Sequence, residues 1–130
     1  MTGGLVGMVR NANLTDCVST GKVASYESNI SGPAGGFIGF VLANVTVSGG
    51  ESRPEVYVKK VTSPSLWSYG LVIGCIRTDG NTSISDVKTG GSISVNGTPE
   101  TINADNFEDF LCVNRHFTYK PSVTGCTWAE

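Results

Sequence analysis

Two stretches of this chain, Phe37–Val47 and Leu66–Ile76, are apolar with little interruption, and each is bounded by glycine- or proline-containing turns. The run Phe37-Ile38-Gly39-Phe40-Val41-Leu42 shows no helical stripe, so it reads as a strand covered on both faces. Its continuation alternates through Val45 and Val47, the pattern of a strand with one buried face. Both segments are therefore expected to be central strands, and the remaining elements must be arranged around them.

The residues between them favour turns and strands over helices. Glycine occurs 17 times in 130 residues and charged residues make up only 15%, too few for the solvated faces of several helices. Glu55-Val56-Tyr57-Val58-Lys59 alternates as a half-exposed strand, and Gly21–Glu27, Thr82–Val87 and the segment through Ile93 and Val95 read as shorter ones. Asp79-Gly80-Asn81 is expected to close a hairpin onto Thr82–Val87, because Asp-Gly favours the left-handed backbone of tight hairpin turns. His116–Lys120 and Val123–Trp128, separated by Pro121, are expected to form a last hairpin. Only Asn103–Leu111 departs from this: Asp105 is spaced to cap with Glu108, and Phe107, Phe110 and Leu111 share one helical face. No internal repeat stands out. The expectation is a single all-β domain over residues 1–130, a small β-sandwich or β-barrel plugged by one short helix near residues 105–111.

Charge and hydropathy exclude several classes of partner. The formal net charge is -2 and the nine basic residues are scattered, which gives no footprint for nucleic acid or an acidic membrane. No run reaches the roughly 18 apolar residues of a membrane-spanning helix. Thr2–Val9 is glycine-rich yet apolar at Leu5, Val6, Met8 and Val9. Residues 1–9 read either as the first strand of the domain's own sheet or as an extended assembly arm that adds to a neighbouring subunit. The start has neither a charged region nor an apolar core of the secretory type, so the chain is expected to lack a signal peptide or to be a mature form.

The four cysteines, Cys17, Cys75, Cys112 and Cys126, contain no CxxC pair and leave two readings open. They are buried thiols, or they form two disulfides, in which case Cys112 with Cys126 is the easiest pair to close and Cys17 is left for Cys75.

Chemistry-bearing motifs are scarce. The chain has no GxSxG, Walker, HExxH, GxGxxG or EF-hand pattern, and its single histidine, His116, reads as structural. Cys112, His116 and Cys126 would supply three zinc ligands without a fourth, so no metal or cofactor is expected. Glu108 and Asp109 point about 100° apart on a helical turn and so do not converge as an acid/base pair. Trp67 and Tyr69, with Trp128, could form an aromatic platform for sugars, although strand aromatics more often pack in a core. Asn-x-Ser/Thr sequons begin at Asn13, Asn29, Asn44, Asn81 and Asn96. Asn44 lies within the strongest strand, which favours a hydrated Asn/Ser/Thr-rich surface over a set of glycan acceptors.

These readings point to a non-enzymatic structural or assembly protein. The expected setting is a bacteriophage virion assembled in the host cytoplasm, where the chain would be a capsid decoration or tail protein that associates with itself or with other virion proteins. The alternative is a secreted or cell-surface adhesin, pilus subunit or carbohydrate-binding module with disulfides and N-glycans.

Overall fold

The computed structural model describes residues 2–25, 32–59, 68–77, 81–115 and 117–129. The expectation of an all-β chain holds, but the architecture is a β-solenoid and not a sandwich or barrel. Winding 1 comprises β1 (Thr2–Gly3), β2 (Val6–Thr15), β3 (Val18–Ser19) and β4 (Lys22–Ser25). Winding 2 repeats it as β5 (Ala34–Gly35), β6 (Ile38–Ser48), β7 (Glu51–Ser52) and β8 (Glu55–Val58). Winding 3 comprises β9 (Tyr69–Gly70), β10 (Ile73–Ile76), β11 (Ser83–Ser85), β12 (Lys88–Thr89), β13 (Ser92–Val95) and the appended β14 (Thr98–Pro99). A partial fourth winding carries β15 (Ser122–Thr124) and β16 (Thr127–Trp128).

Each strand pairs in parallel with its counterpart one winding away. One sheet runs β1-β5-β9; a second stacks β2 on β6, then β10 and β11 on β6, then β15; a third runs β3-β7-β12-β16; a fourth runs β4-β8-β13-β14. Only β14, paired with β13, runs antiparallel among these strands. The two hairpins expected from the sequence are therefore corrected. Asp79 and Gly80 lie outside the described residues, but β10 and β11 do not pair with each other: both lie in parallel on β6. Likewise β15 pairs in parallel with β11 instead of folding back on the preceding segment.

A sequence repeat drives this stacking, contrary to the expectation of none. Thr2-Gly3-Gly4-Leu5-Val6-Gly7-Met8-Val9, Ala34-Gly35-Gly36-Phe37-Ile38-Gly39-Phe40-Val41 and Tyr69-Gly70-Leu71-Val72-Ile73-Gly74-Cys75-Ile76 occupy the same place in successive windings. Glycine is needed in this corner because the next backbone passes so close. A Cβ on Gly39 would lie 2.7 Å from the Gly7 carbonyl oxygen and 2.8 Å from the Thr2 nitrogen.

Inward-facing side chains form columns along the stack. Val6, Ile38 and Ile73 make one; Val9, Val41 and Ile76 a second; Leu14, Val47, Ile84 and Val123 a third; Val23, Val56 and Ile93 a fourth. Parallel pairing at about 4.8 Å puts like side chains directly over one another, and apolar columns bury the most area that way. The run Phe37–Val47 is central, with β6 paired on both sides and Ile38, Val41, Val45 and Val47 completely buried. Of Leu66–Ile76, whose first two residues lie outside the described ones, Ile73 is as buried, but β9 and β10 stand at the ends of their sheets' strand order.

The corners between sheets are polar columns. Asn11, Asn44 and Asn81 all take a left-handed backbone, which asparagine tolerates. The Asn44 amide nitrogen donates to Asn11 Oδ1 at 2.9 Å, and that of Asn81 donates to Asn44 Oδ1 at 3.2 Å. At the next corner Asp16, Gly49, Asp86 and Gly125 alternate, all at positive φ. A side chain on Gly49 or Gly125 would run into the carboxylate of Asp16 or Asp86 one winding before it. The alternation also keeps two carboxylates from lying in adjacent windings.

The short helix expected near residues 105–111 is a single 3-10 turn, Phe107–Phe110, preceded by Asn106 and not capped by Asp105. Asn103 and Asn106 order the approach, through Asn106 Oδ1 accepting from the Asn103 N–H and Asn103 Oδ1 accepting from the Asp105 N–H, both at 2.8 Å. Phe107 is buried, with its ring 5.9 Å from that of Trp128.

Candidate interaction surface

The two ends of the stack are built differently. At the C-terminal end, β14 runs antiparallel over β13, and Tyr69 pairs antiparallel with Val113, so both flanking sheets are closed by chain running against the stack. Asn114 organises this cap. Its buried amide donates to the Ile76 and Tyr119 carbonyls, each at 2.8 Å, while its Oδ1 receives Ser68 Oγ and Cys75 Sγ, each at 3.3 Å. Tyr69, with Glu100 and Arg115 on its hydroxyl at 3.3 Å each, adds a second clasp. Burial pushes the Tyr69 phenol upward, opposed by the Arg115 charge and helped by Glu100.

At the N-terminal end, β1, β2, β3 and β4 each pair on one side only among the described strands. The exposed large apolar residues among those described, Leu5 (44% exposed), Met8 (45%) and Val18 (59%), all lie on this winding. Val6 and Val9 point inward but are only half-buried, whereas their column partners Ile38 and Val41 are completely buried. Of the four residues that suggest an assembly arm, Leu5 and Met8 thus face outward and Val6 and Val9 face the open core. The segment is tied to winding 2 of its own chain by the Thr2 N–H on the Pro33 carbonyl at 2.8 Å and the Leu5 N–H on the Phe37 carbonyl at 3.1 Å. Sequence reasoning missed Val18, which becomes visible only once Val18, Glu51, Lys88 and Thr127 are seen to be one outward column.

The four cysteines are separate thiols. Of the two readings left open by the sequence, the separate thiols are the one present, and neither Cys112 with Cys126 nor Cys17 with Cys75 is bonded. Cys126 sits at the Asp/Gly corner, its Sγ 3.9 Å from the Ile84 carbonyl oxygen, while Cys112 is buried under the cap. Burial pushes the Cys112 thiol up to about 12, opposed by the nearby Lys120 ammonium and reinforced by Cys75. Burial likewise raises Cys75 to about 11, against a hydrogen bond from Ser68, and raises Cys126 against a hydrogen bond from the Val87 backbone.

An open cavity of about 300 Å³ is lined by Glu108, Asp109, Cys112, Lys120, Pro121 and Val123. Its carboxylates stand on the exposed 3-10 turn, and its thiol is held protonated by burial, so it offers no activated nucleophile. No group of three metal-ligating side chains is present among the described residues. His116, the third member of the suggested zinc set, lies outside them, as do Trp67 and Asn29. The suggested sugar platform is not assembled from its described members. Tyr69 is 2% exposed, and Trp128 packs on Phe107. Among the described residues, no helix is long and apolar enough to cross a membrane.

The sequons at Asn13, Asn44, Asn81 and Asn96 are surface positions, all four asparagines being exposed. Asn44 and Asn81 belong to the corner ladder, with Thr46 and Ser83 two positions on in paired strands, so the solenoid accounts for those two sequons by register alone. Asn96 and Gly97, both at positive φ, form the tight turn between β13 and β14, a signal present in the sequence as Asn-Gly. Comparison with protein-family models, with curated proteins and with solved structures finds no match to this chain.

Proposed function

We propose that this chain is a non-enzymatic assembly module that works through the open end of its first winding and, more narrowly, that it is a bacteriophage virion component, a capsid decoration protein before a tail protein. The observation that carries this reading is the contrast between the ends among the described residues. At one end chain running antiparallel covers the two outer sheets, leaving β10, β15 and β16 with a single strand neighbour each, while at the other all four strands of winding 1 pair on one side only and Leu5, Met8 and Val18 are exposed. An open edge of this kind is a template for another chain, and pairing satisfies its backbone groups while burying its apolar side chains. The narrower reading rests on a surface of low charge, rich in Asn, Ser and Thr, suited to packing among other virion proteins.

Co-sedimentation tests this. Particles isolated from the producing cells are expected to carry the chain, or the purified chain is expected to associate with itself. A chain that is monomeric at every concentration and sediments free of any particle would overturn the reading.

A further inference from the structure

We infer that the open winding is covered by a second copy of this chain, the two solenoids meeting N-terminal end to N-terminal end about a two-fold axis. This rests on the assembly reading above and names the partner of that surface.

Three observations select this occupant. Head-to-tail stacking of copies would need a C-terminal end that offers parallel edges in every sheet, but there β14 and the Tyr69–Val113 bridge run antiparallel. A two-fold contact needs no such edge: it sets β2 against the partner's β2 running the opposite way, an arrangement in which antiparallel edges pair directly, and it closes on itself without growing into a fibre. The size also fits, because a standard interface uses roughly 20–30 residues a side and one winding, Thr2–Ser25, is a contact of that scale. Charge does not oppose it, since the winding's described charges are Arg10, Asp16 and Lys22, of both signs. Leu5, Met8 and Val18 would be buried on both subunits, and the half-buried Val6 and Val9 would reach the burial of their column partners.

The fold supplies a ruler for the test. Glu51 and Thr127 lie in one outward column, on windings 2 and 4, outside the winding proposed to make the contact. Spin labels are placed at E51C or T127C in a Cys17→Ser, Cys126→Ser background of the full chain, and the distance between subunits is measured by pulsed electron resonance. In an end-to-end dimer the Thr127 labels are farther apart along the stack than the Glu51 labels by about 19 Å, from two windings of about 4.8 Å counted on each side. In parallel, sedimentation equilibrium should show a dimer that Leu5→Lys with Met8→Lys turns into a folded monomer, its circular dichroism unchanged. Equal distances for the two labels, or a series of oligomers that lengthens with concentration, would overturn the end-to-end dimer and leave the assembly reading standing. A wild-type chain that stays monomeric would also overturn it, and binding to isolated particles then decides the assembly reading separately.

Discussion

Replacing Gly39 with alanine adds one methyl group at a point where windings 1 and 2 approach closely. The new Cβ would stand 2.7 Å from the Gly7 carbonyl oxygen, 2.8 Å from the Thr2 nitrogen and 2.9 Å from the Thr2 carbonyl carbon. All three are backbone atoms of the neighbouring winding, so no side chain can rotate away and the windings themselves must separate. Overpacking of this kind costs about 3 kcal/mol, the upper part of its usual range. Lost backbone freedom in the unfolded chain returns about 0.7 kcal/mol, so the net loss is about 2 kcal/mol. Urea unfolding followed by circular dichroism, with a slope of about 1.5 kcal/mol/M, should then show a midpoint lower by roughly 1 M or more. Gly21 is the internal control. A Cβ at Gly21 would meet no heavy atom within 4 Å and the residue has no positive φ, so Gly21→Ala should leave the midpoint unchanged or raise it by about 0.3 M. If Gly39→Ala is as stable as Gly21→Ala, close stacking of the glycine corner is refuted.

At Asn44, glycine should be better tolerated than alanine. Both lose the exposed ladder bonds, about 1 kcal/mol each, but alanine adds about 1–2 kcal/mol for a left-handed backbone, a ranking that urea midpoints measure. Ile38→Ala should cost about 3–4 kcal/mol by the same assay, because Ile38 is completely buried between Val6 and Ile73. Alkaline pH should destabilise the wild type through Cys75 and Cys112. Their folded values of about 11 and about 12 exceed the ordinary 9.0, so their contribution is complete below pH 9 and is lost as pH rises through 11 to 12. Cys112→Val should flatten that decline in denaturation midpoints measured from pH 8 to 11. Ellman's reagent should titrate four thiols in the denatured chain, and in the folded chain the buried Cys75 and Cys112 should react after Cys17 and Cys126.

The strand content is legible in the sequence because apolar runs and alternation act over a few residues. Phe37–Val47 maps onto β6, Glu55–Lys59 onto β8, and the acidic turn falls at Phe107–Phe110. The architecture is not, because partners in a solenoid lie a whole winding apart, and local turn signals suggest hairpins that do not form. The repeat itself is present in the glycine corner but imperfect: Leu71 replaces the second glycine in winding 3, and the register shifts by one residue between Val9 and Arg10 where winding 2 carries Leu42. The interaction surface is half legible. Leu5 and Met8 stand out as apolar residues in a glycine-rich segment, but their exposure follows from winding 1 being the end of a stack, which no local pattern encodes.

Hydrogen–deuterium exchange of the full chain at low and high protein concentration tests most directly whether winding 1 is an assembly edge. Amides in Thr2–Ser25 should gain protection as concentration rises, while those in Ser122–Trp128 should not change. Exchange that is the same at every concentration throughout Thr2–Ser25, in a chain that also binds no particle, would contradict it.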